Sequence, residues 1–173
     1  VESDYILKFL LREGKSVEDN IPQTDLVEVQ GRFFREDRVQ EVELPQRFTF
    51  TYLDKDRDYL QAAHSAKRIL GPTSAMNSRN EIGLTIAAAL ESDFAKQAAE
   101  KALYTSWVER SNYNTRISWK YLALDPSDLV TVTLDDGTIF RTRLVQTDVG
   151  VDLSIDTSAL SEAAAQYTSS VVS

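Results

Sequence analysis

Apolar and polar positions alternate most regularly over residues 113–121, where Tyr113, Thr115, Ile117, Trp119 and Tyr121 interleave with Asn114, Arg116, Ser118 and Lys120. A period of two predicts a strand with one buried face. Phe48, Phe50 and Tyr52 alternate with Thr49 and Thr51, predicting a strand with an aromatic face and a threonine face. Ile82, Leu84, Ile86, Ala88 and Leu90 fall on one side of a third strand. Further on, the apolar runs 129–134 and 139–145 flank Asp135, Asp136 and Gly137, and Asp-Gly between β-rich runs signals a hairpin. Val151, Leu153 and Ile155 then alternate with Asp152, Ser154 and Asp156, which predicts the third strand of a meander.

One segment has helical spacing. Ala95, Ala98, Ala99, Ala102, Leu103 and Ser106 form a stripe of small residues, narrow enough for a helix to lie close against a sheet. Ser92 is positioned to cap its N-terminus, Asp93 suits the first turn, and Arg110 suits the last. The remaining pattern is weaker. Residues 5–11 read as a strand ended by Gly14, and residues 25–29 as a short strand. The charged stretch 31–38 reads as a loop or hairpin tip. Val42 and Leu44 oppose Glu41 and Glu43 ahead of Pro45, a residue suited to an edge or a strand start. Residues 53–78 show little periodicity, with an exposed connection around Gly71 and Pro72, and the Ala-rich stretch 158–167 predicts a final helix before a polar tail.

These elements predict an α+β fold, mainly antiparallel β and barrel-like or sandwich-like, with one long helix at about 92–110. The expected organisation is a domain over 1–157, dividable into two β sub-domains near 71–78, and a helix or linker at 158–173 toward a following domain. The start at Val1 instead of Met suggests a segment of a longer chain.

Composition narrows the possible chemistry. The chain of 173 residues has no cysteine, which removes disulfides, thiolate metal sites and cysteine nucleophiles. No apolar run reaches the ~18 residues of a membrane-spanning helix. The net charge of −8 disfavours a surface that grips phosphate backbones. Charge is uneven: residues 1–60 carry −5, residues 61–120 carry +3 and residues 121–173 carry −6. The middle third is therefore suited to acidic neighbours, or it is a solvated face rich in Lys and Arg.

Candidate sites are few. Asp54, Asp56 and Asp58 begin like an EF-hand loop, but Tyr59 stands where that loop needs glycine and Ser65 where it needs glutamate. A charged turn is the better reading. The single histidine, His64, beside Ser65 and downstream of the aspartates, allows a Ser/His/Asp constellation on paper, without the nucleophile elbow that usually presents the serine. Glu41 with Glu43 and Asp135 with Asp136 are carboxylate pairs on predicted surfaces or turns. Tyr113, Trp119 and Tyr121 with Arg116 and Lys120 could stack bases or sugars, but alternation sends the aromatics and the cations to opposite faces. Neither glycine-rich phosphate motif occurs.

Taken in chain order, a set of short motifs carries a resemblance. These are Ile21-Pro22 with Asp25-Leu26, Leu44-Pro45, the run from Phe48 through Tyr52 to Asp54, and Asp58-Tyr59. The aliphatic strand 82–90 follows, then the Ala-rich helix through Trp107 and Arg110, the strand 113–121, and Leu124-Asp125-Pro126-Ser127-Asp128 before Leu129-Val130. In this order they resemble the phage tail protein family that includes the hub domains of siphophage tail tips and gene transfer agents, over residues 5–157. The family's turn carries glycine where this chain has Ser127, so the turn must be built without glycine's freedom of φ.

The resemblance implies a structural component of a tail tip or baseplate hub, made in the bacterial host cytoplasm and resident in the virion. It implies a homotrimer in a ring that joins the distal tail protein ring to tail fibres or tip, near the tape measure protein, with DNA passing during ejection without specific binding. An acidic lumen would repel the DNA backbone. No catalytic, cofactor or metal residue is implied in this segment, although larger family members carry lytic domains elsewhere. The competing expectations are a cell-wall-degrading enzyme using a carboxylate pair, and a carbohydrate- or receptor-binding module using Trp107 or Trp119.

Overall fold

The computed structural model describes residues 2–3, 6–7, 12, 16–29, 31–68 and 79–167. In chain order the strands are β1 (Glu2–Ser3), β2 (Ile6–Leu7), β3 (Asp19–Pro22), β4 (Phe34–Arg38), β5 (Pro45–Asp54), β6 (Gln61–Lys67) and β7 (Asn80–Leu90). Helix α1 (Ser92–Val108) follows, then β8 (Ser111–Ile117), β9 (Leu129–Thr133), β10 (Ile139–Val149) and β11 (Ile155–Ser161). The chain divides into two compact units, one of Val1–Arg38 and Ser111–Ala164, the other of Val39–Arg110 and Ala165–Ser173. The fold is α+β with mostly antiparallel pairing, as the alternation predicts, and its sheets are open, not closed into a barrel.

The first unit is built on a six-stranded sheet in the order β3-β9-β10-β11-β8-β4. The meander β9-β10-β11 is antiparallel, and β3 adds in parallel to β9. Its hairpin turn is the predicted one, with Gly137 at φ +84 and Leu134 N–H donating to the Thr138 carbonyl over 2.9 Å. Ile21, Leu26, Ile117, Val130, Val132, Leu144 and Ile155 form the buried core. Phe34, Tyr113 and Phe140 pack beside them as an aromatic cluster with ring centroids 4.7–5.4 Å apart. A buried ion pair joins Arg143 and Glu162, each 3% exposed, and the Arg143 guanidinium also donates to the carbonyls of Ser127 and Arg12. Nothing in the local sequence pattern marks that pair, because Arg143 lies on a strand where polar positions normally face water.

The second unit is a three-stranded sheet in the order β6-β5-β7 with α1 packed on β5 and β6. Ala95, Ala99, Leu103 and Trp107 recur every four residues along the buried face of α1 and meet Phe48, Phe50 and Tyr52 of β5. Small side chains at two of these positions bring the helix close, and Trp107 Nε1 donates to the Pro45 carbonyl over 2.7 Å.

Several local expectations are corrected. Residues 25–29 form no strand: Gln23–Asp25 is a 3-10 turn, and only isolated bridges at Leu26 and Val29 follow. The charged stretch 31–38, expected as a loop or hairpin tip, follows a tight turn bridged by Val29 and Arg32 and then forms β4, an edge strand whose polarity suits its free side. Residues Glu41–Glu43 form a 3-10 turn instead of continuing a strand into Pro45, which opens β5. Strand β6 lies in a region with almost no periodicity, since its alternate residues are small. Residues 151–154 are a turn, and the last strand begins at Ile155 and runs to Ser161, which removes the first part of the predicted final helix; Ala164–Tyr167 is a 3-10 turn. Helix α1 is present, but its N-cap is Glu91, with no side-chain cap, and not Ser92. The strand expected over 5–11 and the connection at 71–78 lie largely outside the described residues.

Candidate functional site

The candidates that the sequence raised are scattered by the fold. Asp54 is buried and closes its own turn, its Oδ1 accepting from Asp56 N–H over 3.0 Å, whereas Asp56 and Asp58 are exposed. Asp58 and Tyr59 complete the turn in the left-handed region, at φ 50 and 59. Among the described residues no three His, Asp or Glu side chains gather as a metal site.

His64 stands opposite Phe50 on the face that α1 covers, so its neighbour Ser65 points to the other face and the two cannot form a catalytic pair. Its ring stacks on Tyr52 with centroids 5.8 Å apart, and its Nε2 lies 2.8 Å from Ser92 Oγ at the start of α1. This contact ties β6 to the helix. Glu41 pairs with Arg110 at 3.1 Å on the surface. Asp136 holds its own hairpin by accepting from Thr138 N–H over 2.8 Å, a bond that lowers its pKa.

The expected nine-residue strand at 113–121 stops at Ile117, because Trp119–Tyr121 turns as a 3-10 helix capped by Ser118. The turn separates the aromatics. Tyr113 stays in the core, Trp119 swings out to 67% exposure, and Tyr121 is buried with its hydroxyl donating to Asp25 Oδ2 over 2.6 Å. Lys120 Nζ donates to the same oxygen over 3.0 Å. The two donors hold the Asp25 carboxyl below its ordinary value, Tyr121 first and Lys120 second. Burial, and then the Asp25 hydrogen bond, push the Tyr121 hydroxyl up. Arg116 faces Asp156 in a bidentate pair at 2.6 and 2.9 Å. Trp107 is buried in the second unit, so of the two tryptophans proposed for a binding module only Trp119 is accessible.

Two surface features emerge that the pattern of residues had hidden. The first is a pocket of about 420 Å³ in the first unit, whose lining includes Val29, Phe33 and Phe34, the arginines Arg32, Arg35 and Arg116, and Asp156, the partner of Arg116. Its arginines come from the stretch read as a loop and from β8, so only the pairing of β4 with β8 brings them together. The second is the turn between β10 and β11, where Val149, Val151 and Leu153 are all exposed. That turn is rigid. Gly150 N–H donates to the Ser154 carbonyl over 2.8 Å, Leu153 N–H to the Gly150 carbonyl over 3.0 Å, and Asp152 Oδ1 accepts from both Ser154 N–H and Oγ–H. Leu153 takes a left-handed φ of 63 to fit it.

Comparison with known proteins gives these features a context. A family model described as "Putative phage tail protein" matches residues 1–147. No curated protein matches significantly. Among solved structures, a chain of the virion of a native gene transfer agent particle superposes with a TM-score of 0.78 at 19% identity, covering 94% of this chain and 35% of that one. The 43 kDa tail protein of prophage MuSo2 from Shewanella oneidensis superposes with a TM-score of 0.51 at 13% identity, covering 87% of this chain and 46% of that one. The chain thus spans less than half the length of either structure, and at these identities the likeness is one of fold.

Proposed function

This chain belongs to the phage tail protein family, and from that premise we propose that it is a structural segment of a tail-tip or baseplate hub, without enzymatic turnover. In this reading, copies of the chain form a ring, a homotrimer, that joins the distal tail to fibres or tip and lets DNA pass. The observation that carries it is the shared fold over 94% of the chain with a protein of an assembled gene transfer agent virion. The net charge of −8 supports it, because an acidic lumen releases DNA instead of trapping it. Multi-angle light scattering across a concentration series tests the ring. A trimer mass supports the reading, and a monomer at every concentration counts against it. Lysis of purified peptidoglycan, lost on changing one carboxylate, would replace it with a lytic role.

A second reading is favoured by one observation. Trp119 and Leu122 are both exposed on the turn after β8, which suits a receptor- or carbohydrate-binding surface. Because Trp107 is buried, a shift in tryptophan emission on adding host glycans would report on Trp119. No shift at millimolar sugar counts against that reading.

A further inference from the structure

Two adjoining depressions cross the outward face of the six-stranded sheet, and from their lining we infer that this face binds a neutral oligosaccharide. The inference goes beyond the ring reading and needs neither Trp119 nor contact between copies.

The alternation of the strands builds the face. Tyr113 and Ile117 of β8 and Ile155 and Ala159 of β11 are buried in the core, so Asn114, Arg116, Asp156 and Ser158 stand on the opposite side. Strand pairing aligns them in rows. One row runs Arg35, Asn114, Ser158, Gln146 across β4, β8, β11 and β10, and the next runs Arg116, Asp156, Asp148. Four strands at the usual spacing span about 14 Å, enough for more than one sugar ring. The pocket of about 420 Å³ at the β4 end and a second depression of about 260 Å³ toward β10 share Asn114, Thr115 and Asp156, so the two form one groove.

The charges of the groove cancel locally. Arg116 and Asp156 pair at 2.6 and 2.9 Å, Arg35 and Asp37 at 3.0 Å, and Asp148 accepts from Gln146 over 2.6 Å. An anion entering the groove meets Asp148 and Asp156, and a cation meets Arg32, Arg35 and Arg116. Hydroxyl groups meet neither penalty, because each both donates and accepts. The pairing also holds the side chains in place while leaving part of each for a ligand. Among the described residues nothing bonds to Arg116 Nη1, Asn114 Oδ1 or Gln146 Oε1, although the other polar atoms of these groups are engaged. Groups fixed before the ligand arrives lose little entropy on binding. The apolar contribution comes from the β4 end, where Val29 and Phe33 line the pocket and are both exposed. Their turn is closed by Val29 N–H donating to the Arg32 carbonyl over 2.8 Å and Arg32 N–H to the Val29 carbonyl over 3.1 Å, with Gly31 at φ +77. An accessible aromatic ring beside a mosaic of donors and acceptors suits a pyranose, which has apolar C–H faces and a polar rim.

The test is an NMR titration of the whole chain with maltotriose, chitotriose, mannotriose and galactotriose, each to about 10 mM, with trigalacturonate as the charged counterpart of the last. The expected result is that at least one neutral trisaccharide shifts the backbone amides of residues 114–116, 146–148 and 156–158. Phe33→Ala and Asn114→Ala should each weaken that binding by about tenfold, with the amide spectrum otherwise unchanged as the check that the fold is intact. Gln146→Ala should weaken the trisaccharide more than the matching monosaccharide, because it removes a contact only in the second depression, whereas Trp119→Ala should leave both unchanged. If no neutral trisaccharide shifts these amides, the inference is overturned. Tighter binding of trigalacturonate than of galactotriose would make the groove an anion site and overturn it as well. Shifts confined to residues 119–122, lost in Trp119→Ala, would overturn it in favour of the surface around Trp119. None of these outcomes bears on the ring, which light scattering tests separately.

Discussion

Strands β5 and β7 are neighbours in one sheet, and their sequences carry the same alternation of large apolar and smaller residues. Phe48 pairs with Ile82 and Phe50 with Leu84, so by the geometry of a parallel pair these side chains share a face. On β5 that face is buried; on β7 Ile82 and Leu84 are each 44% exposed. The helix makes the difference. Its buried edge is narrow, with alanine at two of four positions, and a close, narrow helix covers β5 and β6 but not a third strand. Alternation therefore reports that a strand forms and which residues share a face, and says nothing about what covers that face.

The largest expected effect sharpens this contrast. Phe50→Ala should cost about 3–5 kcal/mol in urea unfolding, through lost burial and the cavity left under α1. Leu84→Ala, one strand away, should cost less than about 1 kcal/mol. Equal losses would mean that β7 is covered in solution, and the comparison would break. The next effect probes the narrowness of the helix. Ala99 is buried against the sheet, and Ala99→Leu should cost about 1–3 kcal/mol by prising α1 away, whereas Phe94→Ala on the exposed side should stay within about 0.5 kcal/mol.

A smaller effect compares two turns of the first unit. Gly137 and Ser127 have nearly the same φ, +84 and +86, but only glycine adopts it without a steric penalty. The turn at Ser127 keeps the backbone that a glycine would favour and is held there by neighbours: its N–H donates to the Leu144 carbonyl over 2.7 Å, and its carbonyl accepts from Arg143 over 2.9 Å. Ser127→Gly should raise stability by about 0.5–1 kcal/mol, the relief of strain exceeding the added entropy of the unfolded chain. A loss of stability would mean that the serine side chain contributes more than its backbone costs.

The smallest effect concerns pH and a half-buried polar cluster. Asp25 has a carboxyl lowered below its ordinary value of 3.8 by hydrogen bonds from Tyr121 and Lys120. A depressed carboxylate stabilises the fold above its unfolded pKa, and that contribution is lost as pH falls through the folded value. The melting temperature of Asp25→Asn should therefore lie slightly below that of the unchanged chain near neutrality, and the gap should close as pH drops below about 3.8. A gap independent of pH would assign the effect to packing around Tyr121 instead.

Much of the architecture was legible in the sequence because it is set by local rules. The period of two at Phe48, Phe50 and Tyr52, the Asp136-Gly137 turn, the four-residue recurrence of Ala95, Ala99 and Leu103 and the absence of cysteine each act within a few residues, or within the inventory. The order of short motifs along the chain pointed to the family that residues 1–147 then matched. The errors share a cause. Trp119 continued an alternation that Ser118 ended by capping a turn, and Val151 and Leu153 continued one that Asp152 folded into a hairpin tip. In both, a short polar side chain offered the backbone a local hydrogen bond that competed with the ladder.

What the sequence determined by itself, then, is the kind of element at each strongly periodic stretch and the chemistry the chain lacks. What only the tertiary structure decided is coverage and convergence. It left Ile82 and Leu84 open beside a buried β5, sank Arg143 and Glu162 into a mutual ion pair, gathered Arg32, Arg35 and Arg116 around one pocket, and set Val151 on an exposed tip. These depend on pairings between distant segments, such as β4 with β8, and no pattern confined to a few neighbouring residues encodes which distant strand will arrive.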